Sequence, residues 1–240
     1  MQQYTFSGIG PRKEMQDAGI FRQISSQKRA WCVACDGIGG QPGGAEAANI
    51  CVSRYDEFLQ TSQSRNFTDN TIDYLKLGLL TIMDAFYTQV EIDQRFEHMG
   101  CTFTLAYFEG DRATFGWCGD SRIYVFRAGK ILFKSNPHNI YFDEYRAGNL
   151  SLVQAEKKKT NIITRCVSPD ASFPDIQFKQ LRLRSGDRML VCTDGVWNYI
   201  EKKEMIGFAQ EKNLKEYAGR IAKKLKKASG DNYWGWVGEI

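Results

Sequence analysis

Four aspartates in this 240-residue chain each stand where a short apolar run gives way to a turn. Asp36 closes Trp31-Cys-Val-Ala-Cys and precedes Gly37. Asp120 closes Gly116-Trp-Cys-Gly and precedes Ser121-Arg122. Asp194 follows Met189-Leu-Val-Cys-Thr and precedes Gly195. Asp231 stands in Ser229-Gly-Asp231-Asn232, ahead of a last apolar stretch, and Asp17 sits just before a strand-forming run near the N-terminus. A carboxylate at a strand end can project past the sheet edge into a shared crevice, where several of them repel one another. A divalent cation relieves that repulsion, and oxygen-only ligation suits hard ions such as Mg2+ or Mn2+. Glycine after the aspartate permits the close backbone approach that a carbonyl ligand needs. Taken singly, an Asp-Gly pair is also a common turn dipeptide that requires no metal.

The elements around these turns read as follows. Ala18 to Ile24 and Arg29 to Cys35 are β-prone runs separated by Ser25 to Lys28. A glycine-rich turn from Asp36 to Gly44 leads into a helix from Ala45 to about Leu59. Ile72, Leu75, Leu79, Ile82, Met83, Phe86 and Val90 recur at spacings of three and four, one apolar face of a second helix. From Gly100 the period becomes two. Cys101 to Phe108, Arg112 to Cys118, Arg122 to Arg127 and Lys130 to Phe133 read as strands, with hairpin turns at Gly110-Asp111 and Ala128 to Lys130. Residues 137–160 lack a strong period and read as an irregular, flap-like surface excursion with one short helix. Strands resume at Ile176 to Leu183 and Asp187 to Cys192. A last helix spans about Leu214 to Leu225, and Tyr233 to Ile240 forms a closing strand. Blocks of strands alternating with long helical blocks favour an α+β arrangement of helices on antiparallel sheet.

The length fits one domain, 1–240, large enough to bury a core unaided. A net charge of +4 neither demands nor excludes an anionic partner. Seven cysteines, an odd number set mostly in apolar runs, point to buried thiols in a reducing compartment. No leader or membrane-length apolar run is visible, so a soluble cytoplasmic protein is expected. Cys32 and Cys35 share a Cys-X-X-Cys spacing, but residues three apart in a strand face opposite sides, which favours packed thiols over a redox pair. The lysines and arginines of the C-terminal helix read as a solvated face, and no aromatic interleaving supports nucleic-acid binding.

Together the motifs resemble the PPM (type 2C) metal-dependent protein phosphatases, of the bacterial type. In order, Arg12 to Ala18 (RKEMQDA) is similar to the opening arginine motif, and Cys35 to Gly40 (CDGIGG) to the Asp-Gly-Met-Gly-Gly element. Gly43 to Ala48 is similar to the helix start that follows it. Gly100 to Phe108 (GCTFTLAYF) resembles the Gly-(Ser/Thr)-Thr strand, and Gly119 to Arg122 (GDSR) is a full match. Asn161 to Val167 (NIITRCV), Gly186 to Trp197 (GDRMLVCTDGVW) and the segment from Gly230 (GDNYWGWVGEI) resemble the remaining motifs.

The resemblance implies a central antiparallel β-sandwich flanked by helix pairs, with two Mn2+ or Mg2+ ions at one sandwich edge. It implies that Asp36 bridges both ions, that the Gly37 carbonyl binds one, and that Asp194 and Asp231 complete the other. Asp17 would act through bound waters, Asp120 would join Asp194 around a weaker third ion, and Arg12 would bind the substrate phosphate. The implied reaction is hydrolysis of phosphoserine or phosphothreonine by a hydroxide bridging the two ions. The implied partners are phosphorylated proteins, targets of a serine/threonine kinase, met by a monomer with no nucleic acid or membrane partner.

Three positions depart from the pattern. Gln16 stands where many members carry an acid, and Asn198 where some place an acid linked to the third ion. Ile38 replaces the histidine of eukaryotic members, leaving water to protonate the leaving oxygen. Neither His98 nor His138 is expected in catalysis. Gln16 and Asn198 motivate one alternative, a pseudophosphatase that binds without turnover. The other alternative is a phosphatase for a small-molecule ester, with the flap-like segment beside the cleft setting substrate choice.

Overall fold

The computed structural model describes residues 1–39, 42–61, 70–170 and 173–240. Part of the expected glycine-rich turn, Gly40 and Gln41, lies outside them. Two five-stranded antiparallel sheets pack face to face. One carries β1 (Gln2–Gly8), β10 (Tyr233–Glu239), β9 (Arg188–Cys192), β6 (Arg122–Arg127) and β7 (Lys130–Lys134), in that order. The other carries β2 (Asp17–Ile24), β3 (Arg29–Asp36), β4 (Phe103–Glu109), β5 (Arg112–Cys118) and β8 (Gln177–Arg182). Helices α1 (Gly44–Thr61) and α2 (Thr71–Ile92) cover the β2–β8 sheet. Helices α5 (Asp194–Trp197), α6 (Lys202–Phe208) and α7 (Leu214–Ala228) cover the other. The result is the expected α+β sandwich between helix layers.

Period-two alternation explains how one strand serves two layers. On β3, Trp31, Val33 and Cys35 pack under α1 and α2, while Ala30, Cys32 and Ala34 face the opposing sheet. Cys32 and Cys35 therefore lie in separate layers, and all seven cysteines are free. Small residues on the inner face leave room for Trp236, whose ring stacks on Phe21 at 5.1 Å. Each large side chain so buried contributes about 1.5–3 kcal/mol. On α2 the buried residues Leu75, Leu79, Ile82, Met83 and Phe86 form the predicted stripe.

The 137–160 segment differs from its expectation. It holds two short helices, α3 (Ile140–Arg146) and α4 (Leu152–Lys157), and it is anchored rather than laid on the surface. Asn139 caps α3 by accepting from the Phe142 N–H at 3.0 Å, and Ser151 with Gln154 forms a capping box on α4. His138, Asn139, Phe142 and Ala155 are buried beneath. Strand β1 and helices α5 and α6 were also not anticipated. Every residue of β1 is at least partly exposed, and the strand is held by pairing with β10 and by Phe6, which packs against the core under α7.

Candidate active site

Strand ends from both sheets meet at one edge around a cleft of about 320 Å³. Arg12, Asp36, Gly37, Asp120, Asp194 and Asp231 line it, together with Gln16, Ile38, Asn161 and Asn232. Of the expected residues only Asp17 lies outside the lining. It is buried beneath, register-paired with Asp36, and its Oδ2 accepts from the Thr193 hydroxyl at 2.7 Å.

Backbone ties hold each aspartate in place. Asp36 ends β3, where its N–H donates to Thr102 Oγ1 at 2.9 Å and its carbonyl accepts from the Thr102 N–H at 2.8 Å. Thr102 Oγ1 and Ser121 Oγ hydrogen-bond at 2.7 Å, coupling the Asp36 turn to the Asp120 turn. The Gly37 N–H donates to the Gln16 carbonyl at 3.0 Å. A Cβ on Gly37 would sit 2.2 Å from the Gly44 carbonyl oxygen, and one on Gly195 would sit 1.8 Å from that of Asn232. Both glycines are therefore required for turn-on-turn packing. The second contact presses the Asp194 turn against the Asp231 turn. The Asn232 side chain ties the Asp231 turn to the N-terminal loop, accepting from the Gln16 N–H and donating to the Ile9 carbonyl, each at 2.8 Å.

Arg12 Nη2 donates to Asp231 Oδ2 at 2.6 Å, with the arginine side chain 55% exposed and the aspartate 29%. Asn198 Nδ2 donates to Asp194 Oδ2 at 3.2 Å. Gln16 contributes through its backbone, while its side chain turns to Glu14. Thr193 and Thr102 were not singled out from the sequence, although both stand inside quoted motifs, beside Asp194 and Cys101.

The electrostatics of the cluster favour a cation. Burial pushes the Asp17 carboxyl up to about 7, and the charges of Asp194 and Asp231 push the same way against the Thr193 hydrogen bond. Asp120 is raised to about 7, first by burial and then by Asp194. Asp194 is raised to about 6 by burial and by Asp231. Asp36 is raised by burial, then by the charges of Asp17, Asp194 and Asp120. Four buried carboxyls, each raised in pKa by a neighbouring carboxylate, make a set of oxygen donors short of positive charge. A hard divalent ion with its oxygen preference fits it.

A second group has metal-like spacing. The sulfurs of Cys35, Cys51 and Cys101 lie within 4.8 Å of one another. They sit inside the apolar layer under α1 and α2, where burial pushes all three thiols up and keeps them protonated. Neither histidine lines the cleft. His98 is exposed and pairs with Asp170 at 2.9 Å, and His138 is buried.

Comparison with known proteins gives the family and the fold. The family model for protein phosphatase 2C matches residues 12–231. The protein phosphatase PhpP of Streptococcus pneumoniae is 25% identical over 199 residues, covering 82% of this chain and 79% of that one. The serine/threonine phosphatase Stp1 of Staphylococcus aureus superposes with a TM-score of 0.86 at 21% identity, covering 100% of this chain and 94% of Stp1. The catalytic domain of the serine/threonine protein phosphatase PstP, solved with two manganese ions, superposes with a TM-score of 0.81 at 21% identity over 99% and 97% of the two chains. The last two likenesses show the fold. The family pattern, matched from the arginine motif to the closing aspartate, shows more: the chain belongs to the protein phosphatase 2C family of metal-dependent serine/threonine protein phosphatases.

Proposed function

We propose that this chain hydrolyses phosphoserine and phosphothreonine monoesters of proteins, using two Mn2+ or Mg2+ ions held in the cleft. The observation that carries the reading is the convergence of Asp36, Asp120, Asp194 and Asp231 beside Arg12. Asp36, the Gly37 carbonyl, Asp194 and Asp231 would hold the pair. Asp17 would support it from beneath, and Asp120 with Asp194 would take a weaker third ion. When bound, the ions acidify an attacking water and neutralise charge on the transferred phosphoryl group.

The chain's own residues do the rest. Arg12 engages Asp231 through Nη2, and its remaining guanidinium donors and exposure suit it to grip the equatorial phosphoryl oxygens. Asn198 fixes the Asp194 carboxylate through Oδ2. The Thr193 hydroxyl holds Asp17 in place. No cysteine or histidine is among the cleft-lining residues, so water attacks directly and solvent protonates the leaving oxygen. Gln16 serves through backbone contacts that any side chain preserves, which favours an active enzyme over a binding module.

The donor set lies within 1–240, which we take as the catalytic domain. Seven free thiols support a reducing, cytoplasmic setting. Among the described residues no helix is long and apolar enough to cross a membrane. The test is Mn2+-dependent hydrolysis of para-nitrophenyl phosphate and of phosphothreonine peptides. EDTA and Asp194→Ala should each abolish it, and full activity in EDTA would overturn the reading.

A further inference from the structure

A second and larger cavity, about 590 Å³, opens beside the cleft. Its walls come from the α3–α4 segment and the α5–α6 region, with β6 and β7 between them. Seven lysine and arginine side chains line it against three glutamates. The lining thus carries a local excess of four positive charges. The catalytic cleft has the opposite sign, with four aspartates against Arg12.

The two hollows adjoin. Thr160 lines the basic cavity and the next residue, Asn161, lines the cleft. Asn198, in the basic wall, is the residue that donates to Asp194. Arg122, also in that wall, stands two residues beyond Asp120. The interior holds donors without partners: the Arg122 guanidinium lies over the Trp197 ring at 3.6 Å, and Arg122 Nε and Trp197 Nε1 are buried with no hydrogen-bond acceptor among the described residues. Lys134 and Lys224 are paired to Glu156 and Glu204. Lys158 and Lys202 reach the rim and are exposed.

We propose that this cavity is a subsite for a further anionic side chain of the phosphoprotein whose phosphoresidue occupies the cleft. The preferred substrates then carry a second phosphate or a run of carboxylates beside the target residue. An acidic cleft attracts a phosphorylated chain poorly until it is loaded, and an adjoining basic hollow supplies the missing attraction and fixes the direction in which the substrate chain lies. Guanidinium and ammonium groups recognise phosphate and carboxylate alike, which is why the two anions share the subsite. The proposal rests on the phosphatase reading above.

The test uses the Mn2+-loaded full chain and phosphothreonine peptides of one core sequence. Their flanks are neutral, glutamate-rich, or bear a second phosphoserine, placed before or after the target. Wild-type protein is expected to favour an anionic flank on one side by about 10-fold or more in kcat/KM. In K158E/K202E the ratio of anionic to neutral kcat/KM should fall to near one. A larger response to phosphoserine than to glutamate identifies phosphate as the anion read, and equal responses identify general charge. Indifference of the wild type to the flank, or an unchanged ratio in the variant, would overturn the subsite. Fluorescence anisotropy of the same peptides separates the two readings. If no peptide turns over, the phosphatase reading fails, while loss of flank-dependent binding in K158E/K202E still supports the subsite and its persistence still overturns it.

Discussion

Asp17 stands directly opposite Asp36 at the end of the β2–β3 hairpin, two carboxylates placed by strand register on the same side of the same sheet edge. Register alone forces this like-charge contact, and burial sharpens it. In EDTA, Asp36→Asn should therefore stabilise the protein by on the order of 1–2 kcal/mol, raising the melting temperature by roughly 2–8 °C. In saturating Mn2+ the order should reverse, because wild-type protein gains ligation energy that the amide forfeits. Scanning fluorimetry in the two buffers checks both signs. A variant less stable than wild type in EDTA would remove the argument from repulsion.

Gly195→Ala tests the turn-on-turn packing. Its Cβ would meet backbone, not a side chain that can rotate away. Denaturant unfolding should show a loss of about 1–3 kcal/mol. Because the displaced backbone carries Asp231, Mn2+ affinity should fall as well. Gly219→Ala is the control: the Cβ there meets nothing within 4 Å, and stability should hold or rise.

His138 supplies a pH signature. Its Nδ1 accepts from the Gly119 N–H at 3.3 Å and its Nε2 faces Gln177 Oε1 at 3.2 Å, an arrangement for the neutral ring. Burial holds its pKa down to about 4, against the pull of Gln177 and with help from Arg165. The unfolded chain binds the proton more readily, at about 6.5. Stability from this residue is thus complete above about pH 6.5 and is lost as pH falls towards 4, by on the order of 2 kcal/mol. Urea titrations of wild type and His138→Gln between pH 7.5 and 4.5 should show a gap that narrows on acidification. A constant gap would contradict the neutral assignment.

The sequence made the site more legible than the fold's details, for a physical reason. Asp36, Asp120 and Asp194 follow apolar strands and Asp231 precedes one, so a local pattern marks where they emerge. Their convergence needed the order of the motifs, since no local rule pairs Asp17 with Thr193 across the sandwich. Strand β1 is hard to read from the sequence because its alternation is confined to Tyr4-Thr5-Phe6-Ser7, and its partner lies more than 200 positions away. Helices α3 and α4 were underread because each is only six or seven residues long. Their caps, Asn139 and Ser151, were the available signal. His138 looked like a loop residue, and only the fold buries it against Trp117.

Arg12→Ala separates phosphate gripping from metal support. Loss of a charge-assisted hydrogen bond of about 1.5–3 kcal/mol predicts a drop in kcat/KM of roughly 10- to 100-fold. Mn2+ affinity should not fall, because the partner of Asp231 is then the ion alone. Steady-state kinetics beside metal titrations distinguish this from a collapsed site, in which both fall together.

The central claim is that these carboxylates hold a pair of divalent ions. Calorimetric titration of Mn2+ into the metal-free protein tests it most directly. Wild type should take up two ions per chain, with any third much weaker, and Asp36→Asn should lose the pair. No binding in the wild type, or a stoichiometry unchanged in Asp36→Asn, would contradict it.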